Sequence, residues 1–360
     1  MPRNYVQEII VINKEQVLKA LSHVMDPDLH RDLVSLNMIE DIEIDVEKVS
    51  FSIVLTTPSC PLKNQIEADA RRAVLSMTEA SEVDIKMTAR VTESKTVNLG
   101  DNCFKHVIAV GSGKGGVGKS TVALNLALAL SRDGAKVGLL DADIYGPNIP
   151  RMLGLDRLPE SGEGKKIAPA EIHGLKVVSI GFLVQPGQPL IWRGPMLHSA
   201  IQQFITDFDW GNLDYLVVDL PPGTGDVQLS LAQSLPISGA VIVTTPQQVS
   251  VDDASRAANM FAKLEIPLFG IIENMAYLEM PDGSRQYVFG EKGGEHLASQ
   301  LGAQFLGRIP LDANIGLSGD IGNPIVAQEP LSPSGEALIS IARNIAAEAS
   351  KEAFKKNQAG

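Results

Sequence analysis

From residue 106 onward the chain alternates short apolar runs with stretches of helical spacing. The runs read HVIAV, KVGLLD, KVVSI, DYLVVD, GAVIVTT, PLFGIIEN and AQFLGRI. They are nearly continuous in apolar character rather than alternating, so each strand is expected to be covered on both faces. With helical stretches between most of them, the pattern predicts an α/β fold with a mainly parallel sheet flanked by helices. The last helix, EALISIARNIAAEASKEAF, places Leu338, Ile341, Ala342 and Ile345 on one side. Residues 351–360, ending KKNQAG, are expected to be a flexible tail.

The chain before residue 93 has a different texture. KEQVLKALSHV has helical spacing, and DIEIDVEKVSFSIVLTT alternates like a β-hairpin. CPLKNQIEADARRAVLSM puts Leu62, Ile66, Ala70, Val74 and Leu75 on a helix face, and SEVDIKMTARV reads as a last strand. Residues 1–92 therefore read as a small N-terminal α+β domain. Residues 93–105, ESKTVNLGDNCFK, are polar and aperiodic and read as a linker, which leaves 106–350 for the larger domain.

Composition narrows the classes of function. The formal net charge is −12, which argues against wrapping a nucleic-acid backbone. No apolar run approaches the roughly 20 residues of a membrane helix, and the opening MPRNYVQEII has no apolar run of the signal-peptide kind. No nucleic acid, no membrane and a cytoplasmic location are the expectations. With only Cys60 and Cys103, a disulfide framework and a four-cysteine metal site within one chain are both excluded.

The chemistry concentrates in GKGGVGKS, Gly113 to Ser120. It fits the phosphate-loop pattern of Gly, four residues, then Gly-Lys-Ser, and it lies between an apolar strand and a helix. Gly113, Gly115, Gly116 and Gly118, with Lys114 and Val117 between them, let backbone N–H groups turn toward phosphate oxygens. The helix N-terminus adds its own donors. Lys119 is expected on the β- and γ-phosphates, Ser120 on Mg²⁺ and Thr121 on the α-phosphate. Two later strands end in acids, GLLDADIYGPN with Asp141 and Asp143 and YLVVDLPPGTGD with Asp219. Strand carboxyl ends of an open parallel sheet face the same crevice. Asp219 suits Mg²⁺, Asp141 suits the shell around that metal, and Asp143 suits orienting the attacking water. Lys114 either reaches across a two-fold interface to a partner's nucleotide or is a solvated lysine; the residues alone leave both open. No Asn-Lys-x-Asp guanine reader is present in this domain, and Asn274 at a strand end suits an adenine edge, so ATP is the expected nucleotide.

GKGGVGKST with its early lysine resembles the deviant Walker A motif of the septum-site and partition ATPases. DADIYGPNIPRMLG, DLPPGTGDVQL, VTTPQQVSVDDASRA and IIENMAY are similar to the Mrp/NBP35/ApbC branch of that class. The resemblance covers about 105–345. It implies a slow ATPase that dimerises around two ATP molecules, with Lys114 reaching the other subunit's phosphate. It also implies an iron–sulfur cluster carrier or scaffold serving apo iron–sulfur client proteins and upstream assembly factors. DPDLHRDLVSLNMIEDIEI and LTTPSCPLKNQIEADARRAV resemble the MIP18-type domain of iron–sulfur assembly, whose single cysteine corresponds to Cys60.

Many Mrp-type chains carry Cys-x-x-Cys just after ENM; here Met280 and Gly283 occupy those positions. The segment is more similar to the chloroplast high-chlorophyll-fluorescence scaffold type, whose cysteine after ENM is Ala276 here. Cys60 in PSCP, at a strand-to-helix boundary, is the remaining cluster-ligand candidate, with a thiol pKa expected to be lowered by the helix N-terminus. Two alternatives to a carrier stay open: a cluster-free ATP-dependent adaptor in metalloprotein maturation, and a septum-site or partition-like positioning ATPase.

Overall fold

The computed structural model describes residues 12–92, 97–99, 101–159, 166–183 and 194–359. Two compact units divide the chain, residues 1–91 and 92–360.

In the first unit α1 (Lys14–Leu21) starts at a capping box. Asn13 Oδ1 accepts from Gln16 N at 2.9 Å while Gln16 Oε1 accepts from Asn13 N at 3.0 Å. β1 (Ile39–Asp45) and β2 (Lys48–Leu55) pair antiparallel, α2 (Lys63–Met77) follows, and β3 (Glu82–Ala89) returns parallel to β2. Val17 and Leu21 of α1 and Ile66, Ala70 and Val74 of α2 bury against Phe51, Ile53 and Leu55. Leu75, expected on this face, is 42% exposed. The next residue after Val74 turns about 100° around the helix, off the 66–70–74 stripe.

The second unit is built on a nine-stranded sheet. Its strands are β4 (Val97–Leu99), β5 (Asn102–Ser112), β6 (Val137–Asp141), β7 (Ala170–Ile172), β8 (Leu175–Ser179), β9 (Asn212–Asp219), β10 (Gly239–Thr244), β11 (Leu268–Glu273) and β12 (Phe305–Arg308). The order is β12-β11-β10-β5-β9-β6-β8-β7, and β4 pairs with the start of β5. Only the β4 and β7 pairings are antiparallel. The helices are α3 (Lys119–Arg132), α4 (Ile149–Met152), α5 (Gly194–Thr206), α6 (Asp226–Ser234), α7 (Gln248–Lys263), α8 (Gly293–Leu301), α9 (Ala313–Asp320), α10 (Ile325–Gln328) and α11 (Pro333–Ala359). All seven apolar runs are strands of this sheet, and Leu338, Ile341, Ala342 and Ile345 of α11 are buried. The chain leaves β5 toward β6 on one side and later returns through β10 on the other, so the crevice at the carboxyl end of β5 is the ligand position of this architecture.

Two sequence expectations change. The stretch 93–105 is not simply a linker: β4 and the first residues of β5 lie inside it, while residues 93–96 and 100 fall outside the described residues. Asn102 is the cause. It is 1% exposed, its Nδ2 donates to Ile205 O (2.7 Å) and Phe208 O (2.8 Å), and its Oδ1 accepts from Gly211 N (3.1 Å). A polar residue in a polar stretch is thus a fully satisfied core anchor. At the other end, α11 continues to Ala359 where a flexible tail is expected. Ala353 is buried there, and Lys351–Glu348 and Lys356–Glu352 pair along the helix.

Candidate nucleotide site

The turn from β5 into α3 takes its shape from glycines that no other residue could replace without movement. A Cβ at Gly113 would stand 2.1 Å from the backbone carbonyl carbon of Asp253 on α7. Gly116 and Gly118 have φ of 80° and 82°, the left-handed region, and a Cβ at Gly118 would meet Asn274 Nδ2 at 2.3 Å. Val117 is buried and pins the turn. The Ser112 hydroxyl donates to Lys114 O at 3.0 Å, which closes the turn from the other side.

Lys119, the first residue of α3, is 5% exposed. Its ammonium lies 2.6 Å from Asp219 Oδ1 and 3.2 Å from Asp143 Oδ2. Asp219 ends β9 and Asp141 ends β6, the neighbouring strand, with the two residues in register. The expected loop lysine and strand-end acids therefore meet at one point. Burial works against the charge on Lys119, but the Asp219 and Asp143 carboxylates outweigh it and its pKa is raised. Burial likewise raises the pKa of Asp219 against the pull of Lys119, and burial together with the Asp219 charge lifts Asp141 to about 8. Three acids around one ammonium cannot all ionise cheaply, so this buried cluster favours an extra proton.

Asp141 has both oxygens committed. Oδ2 accepts from the Ser179 hydroxyl (2.8 Å) and Ile149 N (3.3 Å), and Oδ1 accepts from Asp143 N (3.2 Å). It therefore fixes the start of the 143–149 segment rather than presenting a free oxygen. Asp219 differs: its Oδ2 is buried with no hydrogen-bond partner, and the Ser120 hydroxyl lies beside this carboxylate. A hydroxyl plus a free carboxylate oxygen is the hard-oxygen donor set that suits magnesium next to phosphates. Ser120 and Asp219 thus fit that ion.

A cleft of about 600 Å³ opens over the loop. Lys114, Gly115, Lys119, Ser120, Thr121 and Asp143 line it, whereas Asp141 and Asp219 are fully buried and do not. Lys114 is half-buried, and its ammonium makes no ion pair with the described residues. Residues not singled out from the sequence complete the wall: Tyr145 and Arg151 from the segment after β6, and Ile315 and Asp320 from α9. The first pair lies within DADIYGPNIPRM, where their position just past the strand-end acids was the available signal. Asn274 does not line the cleft. Its Nδ2 donates to Val117 O at 2.8 Å, so it braces the loop, and reading an adenine edge with that amide requires giving up this bond.

The thiols are placed differently from expectation. Cys60 is half-buried just before Leu62, the N-cap of α2, but the helix end does not control it. Burial pushes the thiol up to about 11, with Asp26 and Asp28 adding to the rise. Cys60 and Cys103 lie in different units, and no group of three or more His, Cys, Asp or Glu side chains is placed to hold a metal ion among the described residues.

A glycine-rich turn between a parallel strand and a helix, with a buried lysine and strand-end acids at its mouth, defines a P-loop NTPase. The relatives say which kind. Residues 103–346 match the ParA family, described as NUBPL iron-transfer P-loop NTPase, and the chain belongs to that family. Residues 14–86 match the family described as iron-sulfur cluster assembly protein. The chain is 49% identical over 354 residues to the iron-sulfur cluster carrier protein of Synechocystis sp., covering 96% of this chain and all of that one. It is 41% identical to the chloroplastic Fe-S cluster assembly factor HCF101 of Arabidopsis thaliana, over 91% of this chain and 62% of that one. Among solved structures, the nucleotide-binding protein of Archaeoglobus fulgidus in complex with ADP is 39% identical, with a TM-score of 0.56 over 65% of this chain and 91% of its own. No helix among the described residues is long and apolar enough to cross a membrane.

Proposed function

We propose that this protein is an ATP-dependent iron–sulfur cluster carrier that hydrolyses ATP slowly and delivers clusters to apo proteins. One observation carries the proposal. A phosphate loop with Lys119 paired to Asp219 shares a chain with a domain matching iron–sulfur assembly proteins. The site's own residues account for the nucleotide step. The loop N–H groups and Lys119 would hold the phosphates, Ser120 and Asp219 would hold a magnesium ion, and Asp143 would orient water for in-line attack. Bound magnesium would supply charge neutralisation.

The active form is a homodimer. Lys114, a cleft-lining cation with no ion partner, completes the neighbouring chain's phosphate site, and ATP binding drives the association. The setting is the cytosol, where ATP is at hand. The cluster is cargo, and Cys60 is its candidate ligand: its proton would pass to solvent as the thiolate binds iron. Anaerobic reconstitution with iron and sulfide gives a labile brown chromophore that Cys60→Ala loses. A protein that stays colourless and iron-free overturns the carrier reading.

One observation favours a second reading, a cluster-free adaptor. Where the Mrp-type resemblance implies a cysteine pair, this chain forms a two-residue ladder, Leu278–Glu279 with Arg285–Gln286, with the Arg285 guanidinium 4.1 Å from the Tyr277 ring centre. Full client activation by a double Cys60→Ala, Cys103→Ala variant selects that reading.

A further inference from the structure

Gln228 sits on α6, two residues after its start, and is 1% exposed. Neither its Oε1 nor its Nε2 has a hydrogen-bond partner among the described residues. The carboxamide presses on the end of the phosphate-loop strand: a Cβ placed on Gly111 would stand 3.4 Å from Gln228 Nε2. Burying a carboxamide with both ends unpaired is expensive, and an apolar side chain of the same shape would be cheaper there. Glutamine in this place is therefore unexplained by the packing around it.

A second observation shows what the residue is attached to. Between Asp219 and Gln228 the chain runs Leu-Pro-Pro-Gly-Thr-Gly-Asp-Val. Gly223 has φ of 98°, and neither Gly223 nor Gly225 would bring a Cβ within 4 Å of any atom, so the segment has room to swing. It is tied to the strand twice: buried Leu220 N donates to Val110 O at 3.1 Å and Gly223 N donates to Ser112 O at 2.9 Å, so only the part beyond Pro221 is free to move. The other end is Asp219, whose buried Oδ2 has no hydrogen-bond partner among the described residues. One short glycine-hinged segment thus joins the acid that meets the nucleotide to the unpaired carboxamide beneath the loop.

We infer that Gln228 is a positioning residue for ATP hydrolysis. In the arrangement described above its carboxamide is unpaired. When nucleotide and metal engage Asp219, the 222–225 segment swings, Gly223 releases Ser112, and Gln228 Nε2 donates to the freed Ser112 O. A polar pair satisfied in only one of two arrangements biases the equilibrium toward that one. The inference rests on the nucleotide reaction and not on the cargo, so it stands or falls separately from cluster transport.

The test uses the full chain and three readouts: the nucleotide-free Tm, the additional Tm gained from a non-hydrolysable ATP analogue over ADP, and steady-state hydrolysis. Gln228→Met replaces the carboxamide with an apolar chain of similar length. It is expected to raise the nucleotide-free Tm by a few degrees, remove the extra gain from the analogue, and lower kcat about tenfold with KM for ATP nearly unchanged. Gln228→Asn keeps a carboxamide one methylene shorter; it is expected to lower the nucleotide-free Tm yet keep a higher kcat than the Met variant. A Met variant that gains stability but hydrolyses ATP at the wild-type rate overturns the inference. One that loses rate without gaining stability overturns it equally.

Discussion

Lys119 Nζ stands 2.6 Å from Asp219 Oδ1, so the loop ammonium and the strand-end carboxylate are each other's partner. In the proposed role MgATP would offer each a new partner, phosphate oxygens for the lysine and a divalent ion for the acid. Binding therefore exchanges one buried ion pair for two charge-matched contacts without leaving a bare charge behind.

Removing the cation alone does leave bare charge. Lys119→Met should weaken MgATP binding by two or more orders of magnitude, about 3 kcal/mol, measured by calorimetry. It should also destabilise the nucleotide-free protein by about 3 kcal/mol. The sign of the pH dependence follows from the acids. Asp141 is raised from 3.8 to about 8, so the folded state binds the extra proton between those values. Stability should fall as pH rises from 4 toward 8. Without Lys119 the remaining carboxylates favour protons more, and the fall with rising pH should steepen.

The two loop lysines should separate cleanly. Lys114→Ala is expected to keep ATP affinity within about threefold, because Lys119 remains. Its hydrolysis should fall by about 10³, the scale of a cation supplied in trans. Light scattering with a non-hydrolysable analogue should show that the variant no longer associates. Unchanged hydrolysis would remove the trans role of Lys114.

The loop glycines give a paired prediction. Gly113→Ala drives a methyl into the α7 backbone at Asp253 and should cost about 1–3 kcal/mol of stability. A Cβ at Gly115 meets nothing within 4 Å, yet Gly115 lines the cleft. Gly115→Ala should leave Tm unchanged and lower ATP affinity. Thermal melts with and without ATP distinguish the two.

Cys60 should be slow to alkylate. A thiol pushed from 9.0 to about 11 is almost wholly protonated at neutral pH, so its iodoacetamide rate should be about a hundredfold below that of an ordinary thiol and climb between pH 9 and 11. Stability should fall over the same window, since the folded state keeps the proton longer. Fast labelling of Cys60 at pH 7.5, read by peptide mass, would contradict the burial argument.

The phosphate loop was legible because its chemistry is local: glycines, lysine and serine at fixed spacing between a strand and a helix. Asp219 and Asp143 were legible because apolar strands end at their carboxyl side. Ser179, which holds Asp141 from 38 residues away, gave no sequence signal, because a serine is ordinary until a distant acid faces it. The same holds for Asn125 in the middle of α3. It reads as a polar flaw in an apolar helix, yet it joins Thr121 O (2.8 Å) to Val326 N (3.1 Å). Cys60 misled for a related reason. A helix boundary is visible in sequence, whereas the burial that outweighs it comes from the packed domain.

The most direct measurement is cluster transfer from the anaerobically reconstituted protein to an apo iron–sulfur enzyme, followed by regained enzyme activity with and without ATP. The account predicts that ATP accelerates transfer from the wild-type protein and has no effect on transfer from Lys119→Met. Transfer that ignores ATP in the wild type, or a protein that never acquires iron, would contradict it.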